Sequence, residues 1–174
     1  HGGLVPAIDV PSPSNVAPAV TTSVERYDFD DDALPLDFQW LRTPNWQRLF
    51  SLTDRPGHLR LYGRESIGSW YEQALVARRQ DSLSFRAETI VDYVPRTFQQ
   101  AAGLSHYYNR HKFHFLAITH DDRLGRVLMV MSCPGDWPDA RLTFPLAAPI
   151  PLPGDGPVRL AVDVDGADLV FSFD

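Results

Sequence analysis

The last stretch, VRLAVDVDGADLVFSFD (158–174), constrains the fold more than any other. Apolar and polar residues alternate on both sides of Asp165-Gly166, and a turn pair between alternating runs reads as a β-hairpin. The same period of two recurs upstream. In SLSFRAETIVDY (82–93), Leu83, Phe85, Ala87, Thr89 and Val91 share one face. Ser84, Arg86, Glu88, Ile90 and Asp92 share the other, so this is a strand with one wet side. HKFHFLAITHD (111–121) puts Phe113, Phe115 and Ala117 on one face and His114, Leu116 and Ile118 on the other. Both faces are largely apolar, which suggests cover on both sides. RVLMVMSC (126–133) behaves similarly, and HLRLYG (58–63) and SWYEQALVARRQ (69–80) read as two further strands. PRTFQQAAG (95–103) reads as one short helical turn or a loop.

Turns fall at regular spacing: Arg55-Pro56-Gly57, Gly63, Gly68, Asp121-Asp122, Gly125, Pro134-Gly135 and Gly154-Asp155-Gly156. Short strands so punctuated, with no amphipathic helix of three turns and no internal repeat, predict an all-β chain folded as an antiparallel β-sandwich or barrel. The 174 residues suit one domain with a sizeable core. Residues 1–24 stand apart. Pro6, Pro11, Pro13 and Pro18 lie among Ser, Thr, Ala and Asn, the composition of an extended connector. The globular part is expected over 25–174.

With 16 Lys plus Arg against 22 Asp plus Glu, the formal charge is −6. Such a surface offers no electrostatic footprint for nucleic acid or an anionic membrane. No apolar run approaches the roughly 20 residues that span a bilayer. HGGLVPAIDV lacks the charged and apolar regions of a signal peptide, and Cys133 has no disulfide partner, which is compatible with a cytoplasmic location. The start without Met suggests a fragment or a processed chain.

Candidate chemistry is sparse. His111 and His114 are three apart and so point to opposite faces of a strand. His114 and His120 share a face, but about 20 Å separates them at ~3.3 Å per residue. Neither pair can share a zinc ion within the strand, and they read as polar or partly buried strand residues. Asp28, Asp30, Asp31 and Asp32 cluster in YDFDDDALPLDF. Calcium favours such oxygen-rich loops, but the spacing is not an EF-hand, and a solvated acidic turn is the other reading. No carboxylate pair stands out for glycoside hydrolysis, and no nucleophile, phosphate-loop or dinucleotide motif occurs. Cys133 follows an apolar strand and is expected to be buried and inert. Trp40, Trp46, Trp70, Trp137, Tyr107 and Tyr108 could stack on sugar rings or serve in core or interface. Trp137, between Pro134 and Pro138, is the one expected to be exposed.

RPGHLRLYGRES (55–66), QALVARRQ (73–80) and FQQAAGLSHYYN (98–109), in that order, closely resemble the C-terminal β-sandwich of family 43 glycoside hydrolases of the β-xylosidase / α-L-arabinofuranosidase type. YDFDDD (27–32) and DFQWLRTP (37–44) resemble the start of that module. The resemblance spans 25–174, while residues 1–24 look like the exit from a catalytic domain.

It implies a concanavalin A-like jelly roll that follows a five-bladed propeller holding the catalytic carboxylates. The sandwich packs on the propeller, and a late aromatic loop helps close the pocket. The whole enzymes remove terminal xylose or arabinose from xylo-oligosaccharides, usually inside the cell. No catalytic residue is then expected in this chain. Trp137, Trp70 and Tyr107 are candidate carbohydrate or interface contacts. No cofactor is required, although a structural calcium at Asp28 and Asp30 is compatible with the family. Family modules continue with further strands after the equivalent of 158–174, so an open edge, and with it a homo-oligomer, is an expectation. The rival readings are an autonomous carbohydrate-binding, lectin-like module and a stand-alone enzyme with its own carboxylate pair.

Overall fold

A computed structural model describes residues 24–174; the expected connector over 1–24 lies outside these residues except for Val24. The hairpin forms where alternation predicts it. β10 (Val158–Asp165) and β11 (Asp168–Phe173) pair antiparallel from Leu160–Phe173 to Asp165–Asp168. Gly166 opens the two-residue turn at φ 60°, a conformation that costs glycine nothing. β5 (Ser84–Val91) joins the other side of β10, giving the order β11-β10-β5.

A second antiparallel sheet has the order β6-β7-β8-β9, from Ala102–Asn109, Lys112–Asp121, Gly125–Pro134 and Ile150–Pro151. Two small pairs complete the strands. β1 (Phe38–Trp40) pairs with β4 (Val76–Arg78), and β2 (Phe50–Ser51) pairs with β3 (Arg60–Leu61). A 3-10 turn at Trp46–Arg48 precedes β2, and among the described residues it is the only helical element.

The two larger sheets share one core. Leu116, Ile118 and Leu128 of the second sheet cluster with Val158 and Leu160 of the first, and Val91, Leu104, Val130, Ile150 and Phe171 pack around them. Each fully buried aliphatic side chain contributes about 1.5–3 kcal/mol. The opposite face of β5 and β10 is wet, as its polar alternation predicts. Arg86 pairs with Asp163, and Arg159 donates to Glu88 at 2.9 Å. Such exposed pairs are worth about 0–1 kcal/mol each. β7 and β8 are covered on both faces. Phe113, Ala117, Thr119, Val127 and Cys133, on the side away from the shared core, are buried too. Thr119 Oγ1 donates to the Gln100 carbonyl at 2.8 Å, which holds the 95–101 loop over that side.

Two segments depart from the sequence reading. Residues 69–80 are not one strand, since only Val76–Arg78 pairs. The backbone before it is satisfied otherwise. The buried Gln73 amide donates to the carbonyls of Ser66, Ile67 and Ser69, so these groups need no ladder partner. The 95–103 stretch is a loop that enters β6 at Ala102, and β6 itself has weak alternation. Its Gly103 is required by close approach, because a Cβ there would overlap the Leu116 carbonyl oxygen of β7.

The first described segment is tied down electrostatically. Arg78 pairs with Glu25 and, at 2.6 Å, with Asp37. The Tyr27 hydroxyl donates to Asp37 at 2.6 Å, and its ring packs edge-on against Phe38. That hydroxyl, with Arg78 assisting, holds the Asp37 carboxyl below its ordinary value.

Leu160→Ala lowers stability by about 2–5 kcal/mol, whereas Arg86→Ala costs less than about 1 kcal/mol; urea unfolding followed by circular dichroism measures both. Asp37 has a lowered folded-state pKa, so its contribution is present above the unfolded carboxylate value, about 3.9. It is lost as pH falls through the folded value. Asp37→Asn therefore flattens the acid limb of the stability–pH curve and leaves its slope near neutrality unchanged.

Candidate functional site

Two exposed indoles, Trp70 and Trp137, are associated with one end of the four-stranded sheet. The turn between β6 and β7 is held by Asn109, whose Oδ1 accepts from the His111 amide at 2.7 Å. This turn presents Arg110, whose guanidinium carbon lies 3.1 Å from the centre of the Trp70 ring. His111 meets the same indole edge-on at 6.1 Å. Trp70 is 67% exposed, but the guanidinium occupies one of its faces. An exposed cation–π contact of this kind is worth about 0.5–1 kcal/mol and leaves the other face open. Tyr107 is different. It is half-buried and stacks on Phe113 at 6.3 Å, with its hydroxyl 3.5 Å from Gln73 Oε1, so it packs.

Trp137 is 84% exposed, as its flanking prolines suggest. Its loop leaves β8 at Pro134, which pairs with Lys112 beside the β6–β7 turn, so both aromatic segments spring from the same sheet end. Leu142 and Phe144, further along that connection, are also exposed. Phe144 lines a shallow apolar groove with Met129, Leu146 and Pro149. Trp137 and Trp70 lie on separate segments and, among the described residues, do not pair with each other. Trp40 and Trp46 both pack on Phe50, at 5.5 and 5.0 Å.

The acidic turn is solvated. Asp28 Oδ1 accepts from Arg26 Nε at 2.7 Å, and Asp30 Oδ1 lies beside Gly57. Among the described residues no three His, Cys, Asp or Glu side chains are disposed to share a metal ion.

One polar group was invisible to spacing along a single strand. The register sets His106 of β6 directly opposite His114 of β7, and His114 opposite Ser132 of β8. Ser132 Oγ lies 2.7 Å from His114 Nδ1, and His106 Nε2 lies 3.1 Å from Gln80 Oε1. Burial, and then the neighbouring His114, hold His106 below its ordinary pKa. Only a correct pairing of three strands could have revealed this row.

Comparison with known proteins bears on what this scaffold is. Residues 26–174 match the family described as the β-xylosidase C-terminal concanavalin A-like domain. The chain is 42% identical over 171 residues to xylosidase/arabinosidase 43B of Humicola insolens, covering 98% of this chain and 31% of that protein. It is 47% identical over 127 residues to the β-xylosidase of Bacillus subtilis strain 168, covering 72% and 24% respectively. Among solved structures, xylan β-1,4-xylosidase from Bacillus halodurans C-125 superposes with a TM-score of 0.81 at 34% identity, over 91% of this chain and 30% of that one. The chain thus spans less than a third of the length of these relatives. It belongs to the C-terminal concanavalin A-like domain family of the family 43 β-xylosidases and arabinosidases.

Proposed function

We propose that this chain is the non-catalytic β-sandwich of a xylan-degrading glycosidase, packing on a catalytic propeller and helping to close its pocket. The substrate of the whole enzyme would be a xylo-oligosaccharide carrying terminal xylose or arabinose. The observation that carries this reading is the family match over 26–174, joined to the small share of each relative that the chain covers. The relatives' printed names, β-xylosidase and xylosidase/arabinosidase, supply the substrate class. The exposed Trp137, Leu142 and Phe144 supply a surface that another domain can bury. Chemistry would then come from the propeller, and this chain would supply support and enclosure.

A second reading, an autonomous carbohydrate-binding module, is favoured by the exposed indoles of Trp137 and Trp70. Affinity electrophoresis in xylan gels separates the two. As an accessory domain, the purified chain migrates in xylan as it does in a blank gel and releases no nitrophenol from aryl β-xylosides. As a binding module it is retarded, and Trp137→Ala restores its mobility. Turnover that disappears when one of its own carboxylates is replaced would overturn both readings.

Asp28 and Asp30 would hold a structural calcium only if further oxygens join them. Under that proposal, calcium added after chelation raises the melting temperature and magnesium does not. Asp30→Asn then abolishes the shift. An unchanged melting temperature leaves the segment as a solvated turn.

A further inference from the structure

The inward face of the four-stranded sheet is built of cross-strand rows. Ala102, Ile118 and Leu128 form one, and Leu104, Leu116 and Val130 form the next. All of these but Ala102 belong to or adjoin the core. The third row, one pleat further on, is His106, His114 and Ser132. We propose that His106 and His114 form a two-imidazole chelate for a late first-row divalent cation of the zinc or nickel class, with Gln80 and Ser132 orienting the rings.

Directly opposed residues on one face of an antiparallel pair have Cβ atoms about 4.5–5.5 Å apart. Two imidazoles at that separation can converge on one ion at about 2.0–2.1 Å from each nitrogen. Ring orientation supports the chelate. Gln80 Oε1 can only accept, so His106 carries its proton on Nε2 and keeps the Nδ1 lone pair. Ser132 Oγ lies 2.7 Å from His114 Nδ1; in the tautomer in which Nδ1–H donates to that hydroxyl, the Nε2 lone pair is left for a metal.

Metal-binding histidines characteristically donate their second ring N–H to such a partner, which fixes tautomer and direction. Neither remaining nitrogen has a hydrogen-bond partner among the described residues, and both rings belong to half-buried residues. Imidazole suits zinc, copper and nickel, and water would complete the coordination. The site needs no carboxylate and is independent of the acidic turn at 28–32.

Isothermal titration of the EDTA-stripped chain with zinc chloride, and separately nickel chloride, tests this. One equivalent of metal binds, and His106→Gln and His114→Gln each weaken it by about tenfold or more. Ser132→Ala weakens it by a smaller factor. His58→Gln and His1→Gln leave it unchanged. Affinity that survives both His106→Gln and His114→Gln, or that disappears with His1→Gln, overturns the proposal. A readout that needs no variant is the ring-nitrogen NMR of the unsubstituted chain. Zinc shifts His106 Nδ1 and His114 Nε2 while the other two nitrogens stay protonated. Unmoved resonances overturn the site.

Discussion

The antiparallel register between β7 and β8, ten residues matched from Lys112–Pro134 to Asp121–Gly125, is the constraint on which the rest of the domain depends. It aligns Ile118 with Leu128 and Leu116 with Val130 on the face that meets Val158 and Leu160. A slip of one residue would turn these side chains away from the core and bring Phe113, Phe115 and Ala117 towards it. Since both faces are apolar, alternation alone would not forbid the slip. What resists it is specific: Gly103 lies against the Leu116 carbonyl where no side chain fits, and Thr119 bonds the Gln100 carbonyl.

The degree to which the sequence foretold the fold follows from the same physics. β5 and the β10–β11 hairpin were readable from their period of two, and β7 and β8 as apolar runs bounded by turns. Leu83 is the exception within that pattern. Its alternation puts it with Phe85, yet it precedes β5 and lies exposed. Segment 69–80 misled because its apolar content mimics a strand, while a single side chain, Gln73, satisfies three of the neighbouring carbonyls. β6 was hidden because a strand that approaches its neighbour closely uses Gly103 and Ser105 where alternation would look for large residues.

The candidate site was readable to the extent that it depends on local chemistry. Trp137, between Pro134 and Pro138, is exposed, and Trp70 is accessible although Arg110 covers one face. Tyr107 looked equivalent in sequence, but its place opposite Phe113 makes it a packing residue. The His106–His114 pair could not be found from spacing. Eight positions separate them along the chain, and only the hairpin register converts that separation into direct opposition. Histidines in strands therefore need to be read across the sheet as well as along it.

The two outer surfaces of the sandwich differ in what a partner would have to remove from water. On the three-stranded sheet, Arg86, Glu88, Arg159 and Asp163 form a charged ladder. Burying it would strip hydration from four ions whose mutual attraction repays that loss only with excellent geometry. The connection after β8 exposes Trp137, Leu142 and Phe144 instead, where removal from water is favourable. The ladder favours a solvated face, whereas the connection after β8 carries apolar side chains whose burial is favourable. If this sandwich packs on a propeller, burial of Trp137, Leu142 and Phe144 favours contact at that connection.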